Sequence, residues 1–564
     1  MKKYDHGRKS RWDDFIKGRL TGDYKSSTAG GDHKIHLGKT KEGEKVGYSP
    51  IEGDTLRMMI VGPSNMGKTR LMDDICRQII SDKQRPSLVV IDPKPTQDLY
   101  RSVLKFSLDN GLEERLHFLD PTYDHLPGYN LMRLNKGGAD MQAKNMLDAR
   151  LKAWGEEGSN KPNLKTWSYY TDKTLIKAGL TLNESRYLTD TQNNEYREPI
   201  ISRAEDEELR REWEKLLAMG LPEREMKLGV VHRRTRSFLG SPPIRTMVSQ
   251  KENALQLSNV FDRGDILLVT LPQRRGMNPD DAQVLGRLLI NDIVTAASYR
   301  QENARPVYLV MDEFSQMVSK DVGEILDLGR SSNLNFVFGH QHLSQVSEKD
   351  LSVFYSELTN TNVQAVFGGL TRDDLQIMAD EFSLEDYDPK KVKDEIYSTF
   401  YEPVDKEVTE ETRRSHSGRS SGKTRREGED GEEEVVKRES SESGEEISRS
   451  SRHVTEHKER KELSNRQFYS LQEQQLLAEQ RLRKPPQQWL NVRINYGESV
   501  LIKAPDCYEL DLPRERIDEG KEKIVDAKEV YSSRAEVKKE VDEREKELKR
   551  GGKEEKEEPD NFVN

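Results

Sequence analysis

The chain has 564 residues, 33% of them hydrophobic and 34% charged, and a formal net charge of −10. That length allows roughly four domains and excludes a mini-protein; a charged fraction above the roughly 25% usual for globular proteins means that part of the chain forms solvated faces or no core. Residues 401–564 carry −7 of the charge, so a basic nucleic-acid coat is excluded and any DNA contact must be local or repeated around a ring.

Residues 1–31 are basic and turn-rich and read as a flexible arm. From there to 136 the chain alternates apolar runs with turns. Leu56-Arg-Met-Met-Ile-Val61 and Leu88-Val-Val-Ile91 are nearly unbroken runs, as expected of strands buried on both faces of a parallel sheet. Between them, Leu71, Ile75 and Ile79 recur at helical spacing over Thr69 to Ile80, giving a strand–helix–strand unit. Residues 137–245 lack strand runs of comparable length and read as a helical insertion.

Strand patterns return at Asp265–Leu271, followed by an amphipathic helix from Asp280 to about Tyr299. Further strands are expected at Val307–Met311, Leu334–Gly339 and Asn362–Phe367. The alternation predicts an α/β fold, doubly wound, with its second part spanning 246–404. Residues 405–460 are rich in Ser, Arg, Glu and Gly and are expected to be a disordered linker, because they cannot bury enough apolar surface to offset chain entropy. Order is expected again over 461–513, with short strands at Trp489–Ile494 and Ser499–Ile502. The charged segment 514–564 reads as a solvated tail with helical potential.

Two cysteines, Cys76 and Cys507, show no metal-site spacing, which argues against a zinc site or a disulfide framework. No apolar run approaches the roughly 18 residues of a membrane span, and the first residues lack an apolar signal core. The expectation is a cytoplasmic, soluble chain.

The chemistry is concentrated in a few segments. Gly62-Pro63-Ser64-Asn65-Met66-Gly67-Lys68-Thr69, followed by Arg70, matches the G-x-x-x-x-G-K-[ST] phosphate loop directly after a buried strand and at the start of a helix. Its backbone N–H groups would cradle the phosphates of ATP, Lys68 would reach the β and γ oxygens, and Thr69 would ligate Mg²⁺. Asp312 and Glu313 end a buried strand. There Asp312 is expected to hold Mg²⁺ through water and Glu313 to orient and polarise the attacking water. Gln341, just past another apolar run, is a candidate γ-phosphate sensor, and Arg330 a candidate arginine finger across a subunit boundary. A surface hydrogen bond or salt bridge is the competing reading of each. Asp92-Pro-Lys94 is ambiguous in the same way.

In order along the chain stand Ile35-His-Leu-Gly-Lys39, the phosphate loop, Val89-Val-Ile-Asp-Pro-Lys94, and Phe118-Leu-Asp-Pro-Thr with Tyr129-Asn-Leu. Arg263-Gly-Asp-Ile-Leu-Leu-Val, Met311-Asp-Glu-Phe314 and Gly329-Arg-Ser-Ser with Gly339-His-Gln341 follow. This succession resembles the motor domain of the FtsK/HerA superfamily, and within it the TraG/TraD-type coupling proteins of conjugation and type IV secretion, over about residues 35–400 and 460–505. The resemblance implies a hexameric RecA-like ring that translocates DNA, with an all-helical subdomain inserted in the motor. It also implies relaxase or secretion-channel partners, an arginine-finger role for Arg330 and a third-motif role for Gln341. Two features depart from the family: many members begin with transmembrane helices, so membrane attachment here would be indirect, through a partner; and Asn65-Met66 stands where the loop often has Gly-Ser. Asn tolerates left-handed backbone angles, so the loop is expected to keep its shape. A protein-secretion or genome-packaging ATPase, and a cargo receptor that binds ATP with negligible turnover, are the alternative functions.

Overall fold

A computed structural model describes residues 34–554, with interruptions at 50–54, 155–160, 193, 253, 273–276, 302–303, 318–332, 384–387, 416–423, 428–432, 441–444 and 496. The expected arm at 1–31 lies outside the described residues. The chain divides into two compact units, residues 386–476 and the remainder.

The larger unit is built on an eleven-stranded sheet. Its strands are β1 (Ile35–Lys39), β2 (Lys45–Tyr48), β3 (Arg57–Val61), β4 (Ser87–Asp92), β5 (Leu116–Leu119), and, after β6 (His125–Pro127), which lies outside it, β7 (Ile266–Thr270), β8 (Val307–Met311), β9 (Leu334–His340) and β10 (Val363–Phe367). Two late strands complete it, here numbered β15 (Trp489–Ile494) and β16 (Val500–Lys503) because β11–β14 lie in the other unit. The order is β2-β1-β16-β15-β10-β3-β9-β8-β4-β7-β5. Every pairing from β10 to β5 is parallel, whereas the β15, β16, β1 and β2 pairings are antiparallel.

Alternation along the strands explains the unbroken apolar runs. Met58 and Ile60 of β3, with Leu88 and Val90 of β4, enter one buried cluster; Met59, Val61, Val89 and Ile91 enter another on the opposite face. The first cluster is closed by helices α1 (Lys68–Ser81) and α2 (Asp98–Asp109), through the expected Leu71, Ile75 and Ile79 of α1 and through Leu99, Val103 and Leu104 of α2. The second is closed by the helix Pro279–Ser298 and by helices lying between Gly138 and Arg263, a stretch in which the described residues form no strand. Leu164, Trp167 and Trp213 from that stretch belong to the same continuous cluster as Met59 and Val61. The architecture is therefore mixed α/β with a large, mostly parallel sheet.

Two expectations require correction. Over 514–554, the described part of the expected tail, the chain is packed into the larger unit rather than solvated. In the helix Arg514–Asp526, Ile524 is buried and Lys521 Nζ donates to Asp120 Oδ2 at 2.9 Å, inside a ring of Tyr100, Phe118 and Tyr123. The strand β17 (Tyr531–Ser533) pairs with β6, and the Tyr531 hydroxyl accepts from Phe118 N at 2.7 Å. In the helix Arg534–Glu554, Arg544 is 6% exposed and bonds Glu184 and the Ser249 carbonyl. Composition hid this because the docking groups are themselves a lysine and an arginine, each buried against a specific partner. Removing one side of a buried ion pair leaves the other charge desolvated. Arg544→Ala should therefore lower unfolding free energy by about 3 kcal/mol in a denaturant titration, while an exposed control such as Lys539→Ala should change it little.

The second correction concerns 405–460. The smaller unit contains β11 (Val392–Ser415), β12 (Thr424–Glu427), β13 (Glu433–Ser440) and β14 (Glu445–Phe468), in the order β11-β14-β13-β12 and antiparallel throughout. The pairing of β11 with β14 begins upstream of residue 405 and runs past 460. The described apolar side chains of the ribbon stay exposed, Val408 at 40% and, just upstream of 405, Tyr401 at 64%. Backbone pairing along the ribbon satisfies its amides, which composition does not register. Cross-strand pairs such as Arg466–Glu395 at 3.0 Å and Arg460–Glu402 at 2.9 Å line the ribbon.

Candidate nucleotide site

The site lies at the C-terminal edge of the parallel strands. Residues 62–67 connect β3 to α1; Gly62 is buried, Pro63, Met66 and Gly67 are half-buried, and Ser64, Asn65 and Arg70 are exposed. Asn65 has φ 66° and Gly67 φ 116°, so the loop makes the left-handed turn that Asn tolerates at 65 and that favours glycine at 67. The first backbone bond of α1 runs from Leu71 N to Gly67 O at 3.0 Å. The N–H groups of Lys68, Thr69 and Arg70 are thus the helix's open donors, at the positive end of its dipole. The loop's outward carbonyls are tied down instead: Gln487 Nε2 donates to Asn65 O at 2.7 Å and Gln488 N to Met66 O at 2.9 Å. These two glutamines, more than 400 positions away in sequence, were not legible as part of the loop.

One strand, β9, separates β3 from β8, so Lys68 must cross it to meet Asp312 and Glu313. It does: Lys68 Nζ lies 3.7 Å from Asp312 Oδ1 and 3.7 Å from Glu313 Oε2. Gly339 on β9 makes room for the crossing. A Cβ there would sit 3.0 Å from Met72 Sδ, 3.2 Å from Asp312 Oδ1 and 3.5 Å from Lys68 Cδ. Gly339→Val should therefore displace Lys68 and weaken binding of a fluorescent ATP analogue by about tenfold or more, with the circular dichroism spectrum retained.

An extended strand would send consecutive side chains to opposite faces. Glu313 instead has φ 67°, a left-handed conformation costing about 1–2 kcal/mol, and both carboxylates come to Lys68. Glu313 Oε1 lies 3.2 Å from Ser315 Oγ, which is itself 3.0 Å from Gln345 Oε1, so one hydroxyl proton serves two acceptors. Thr69 Oγ1 donates to Asp312 Oδ2 at 3.0 Å, and Lys94 Nζ donates to the same oxygen at 2.7 Å. Asp92 accepts from Lys94 N and Tyr100 N at the tip of β4.

Electrostatics follow burial. Burial lowers the Lys68 amine below its ordinary value, against the opposing pull of Asp312 and Glu313. For Lys94 burial acts in the same direction, but Asp312 and its neighbours outweigh it and the amine lies above its usual value. Burial, and then the charge of Asp312, push the Asp92 carboxyl up to about 6.

Lys68 Nζ, Asp312 Oδ1 and Glu313 Oε2 are buried and lack hydrogen-bond partners among the described residues. Open N–H donors beside an ammonium that makes no hydrogen bond fit a phosphate; a hydroxyl and a carboxylate side by side are hard oxygen donors that fit Mg²⁺. The structure thus brings Lys68, Thr69, Asp312 and Glu313 together. Gln341 is half-buried just past the end of β9 and has no hydrogen bond to any of them. Arg330 lies outside the described residues. Sequence reasoning missed Gly339, Ser315 and Gln345 as parts of the site and left Lys94 undecided.

This is a phosphate-loop α/β fold. No protein-family model matches the chain, and no curated protein matches it. Solved structures similar to it include the bacterial conjugative coupling protein TrwBdeltaN70 in an unbound monoclinic form, at 15% identity over 87% of this chain and 92% of that one, with a TM-score of 0.47. The plasmid coupling protein TrwB in complex with the non-hydrolysable ATP analogue ADPNP has 14% identity, covers 88% and 94%, and has a TM-score of 0.49. VirB4 of Thermoanaerobacter pseudethanolicus has 12% identity, covers 64% and 89%, and has a TM-score of 0.42. Among the described residues no helix is long and apolar enough to cross a membrane.

Proposed function

We propose that the chain is an ATP-driven, ring-forming DNA translocase that acts as a coupling protein in conjugative transfer or type IV secretion. The chemistry rests on one observation: Lys68 and Thr69, at the mouth of α1, meet Asp312 and Glu313 across β9. In this reading the 62–70 backbone and Lys68 hold the phosphates of ATP, and Thr69 with Asp312 holds Mg²⁺. The bound Mg²⁺ supplies charge neutralisation at the phosphates. Glu313, buried and positioned by Ser315, takes the proton of the attacking water. Gln341 senses the γ-phosphate, and Arg330 completes the site of a neighbouring subunit.

The DNA, ring and secretion parts rest on the ordered motif resemblance. A few basic loop residues per subunit, repeated six times around a pore, reconcile DNA binding with a net charge of −10. The helices of 137–245 form the inserted subdomain, and relaxase or channel proteins are the partners through which a cytoplasmic ring reaches the membrane.

The test is ATP turnover with and without single- and double-stranded DNA, on protein whose mass in solution is measured alongside. Turnover stimulated by DNA in a ring-sized species supports the proposal. Turnover indifferent to DNA points to a protein-moving ATPase, and tight ATP binding with negligible turnover points to a receptor.

A further inference from the structure

Lys94 occupies an unusual place. Its ammonium lies inside the site, on the carboxylate oxygen that also accepts the Thr69 hydroxyl, so both acceptor directions of Asp312 Oδ2 are filled. Asp312 is fully buried, but the Lys94 side chain is 17% exposed, which gives it a way out. Pro93 and Pro95 flank it and restrict the backbone, and Lys94 N donates to Asp92 Oδ1 at 3.0 Å, so the side chain is the part freest to move. The other charges facing it are Asp92, Glu313 and Lys68.

Mg²⁺ held by Thr69 and, through water, by Asp312 needs an acceptor direction on that carboxylate. Asp312 Oδ1 faces Lys68 Nζ at 3.7 Å, whereas Oδ2 is the oxygen beside Thr69, so a metal-bound water next to Thr69 and the Lys94 ammonium compete for Oδ2. We propose that Lys94 is a stand-in for the divalent cation: it neutralises Asp312 in the nucleotide-free site and gives way when Mg²⁺ and nucleotide enter. This inference rests on the nucleotide-site reading above and adds to it a competition that sets how much Mg²⁺ the site needs. A merely structural ion pair would stabilise the fold and leave the metal requirement untouched.

The experiment uses the full chain with Lys94→Met, Lys94→Gln and Lys94→Arg, each checked for fold by circular dichroism. Binding of a fluorescent, non-hydrolysable ATP analogue is titrated at rising Mg²⁺. The half-saturating Mg²⁺ concentration should fall about threefold or more in the Met and Gln variants, the scale of one partly exposed ion pair removed from competition. Lys94→Arg, which keeps the charge, should stay near the parent. A second arm omits nucleotide and follows free Mn²⁺ by electron paramagnetic resonance, where the Met and Gln variants should bind the ion more tightly than the parent. Two neutral variants are included so that failure of one to fold leaves the other to decide. An unchanged or higher Mg²⁺ requirement in a folded neutral variant overturns the proposal. A parent protein that binds no analogue at any Mg²⁺ concentration overturns the nucleotide-site reading instead, and the Mn²⁺ arm then still decides the role of Lys94.

Discussion

Glu313→Gln should leave ATP bound and slow its cleavage by about two to four orders of magnitude, the usual contribution of a general base. The replacement is nearly isosteric, and an amide oxygen can still take the Ser315 contact that sits at 3.2 Å in the parent. It removes the basicity needed to take a proton from water. It also removes one of the two carboxylates facing Lys68, so affinity for the nucleotide should hold or rise slightly. Fluorescent-analogue binding and phosphate release, measured on the same preparation, separate the two effects. Phosphate release at the parent rate would remove Glu313 from the chemistry.

Lys68→Ala should do the opposite and weaken binding itself. The Lys68 side chain is 4% exposed, its ammonium is hydrogen-bonded to nothing among the described residues, and it is set beside the open N–H groups of α1. A charge-assisted contact of this kind is worth up to about 3 kcal/mol, so affinity should drop on the order of a hundredfold, with hydrolysis lost in consequence. Asp312 keeps Lys94 as a partner at 2.7 Å, so the variant should still fold. Unaltered affinity for the analogue would mean that the phosphates bind elsewhere.

The sequence alone determined the elements whose signal is local. Residues 62–69 lie between an apolar run and a helical repeat, and this placed the loop between β3 and α1. Period and run length placed β4, β7, β8, β9, β10 and the helix Pro279–Ser298 to within a residue or two. The carboxylate pair after Val307–Met311 was legible for the same reason, because a strand end and its next two residues are read together.

Tertiary structure decided whatever depends on strand order and on distant partners. Only the interposition of β9 makes Gly339 a requirement, since a glycine's missing Cβ matters only once Lys68 must pass over it. Gln487 and Gln488 became part of the phosphate loop because β15 pairs with β10, which pairs with β3. The segment after 514 looked solvated because charge is read from sequence as exposure. Lys521 and Arg544 show the reverse: a long side chain can be buried when a carboxylate waits for it, and nothing in its own neighbourhood of the sequence announces that partner. The same holds for the 392–468 ribbon, where the hydrogen bonds that define the strands join residues up to 76 positions apart, such as Val392 and Phe468, and leave no mark in local composition.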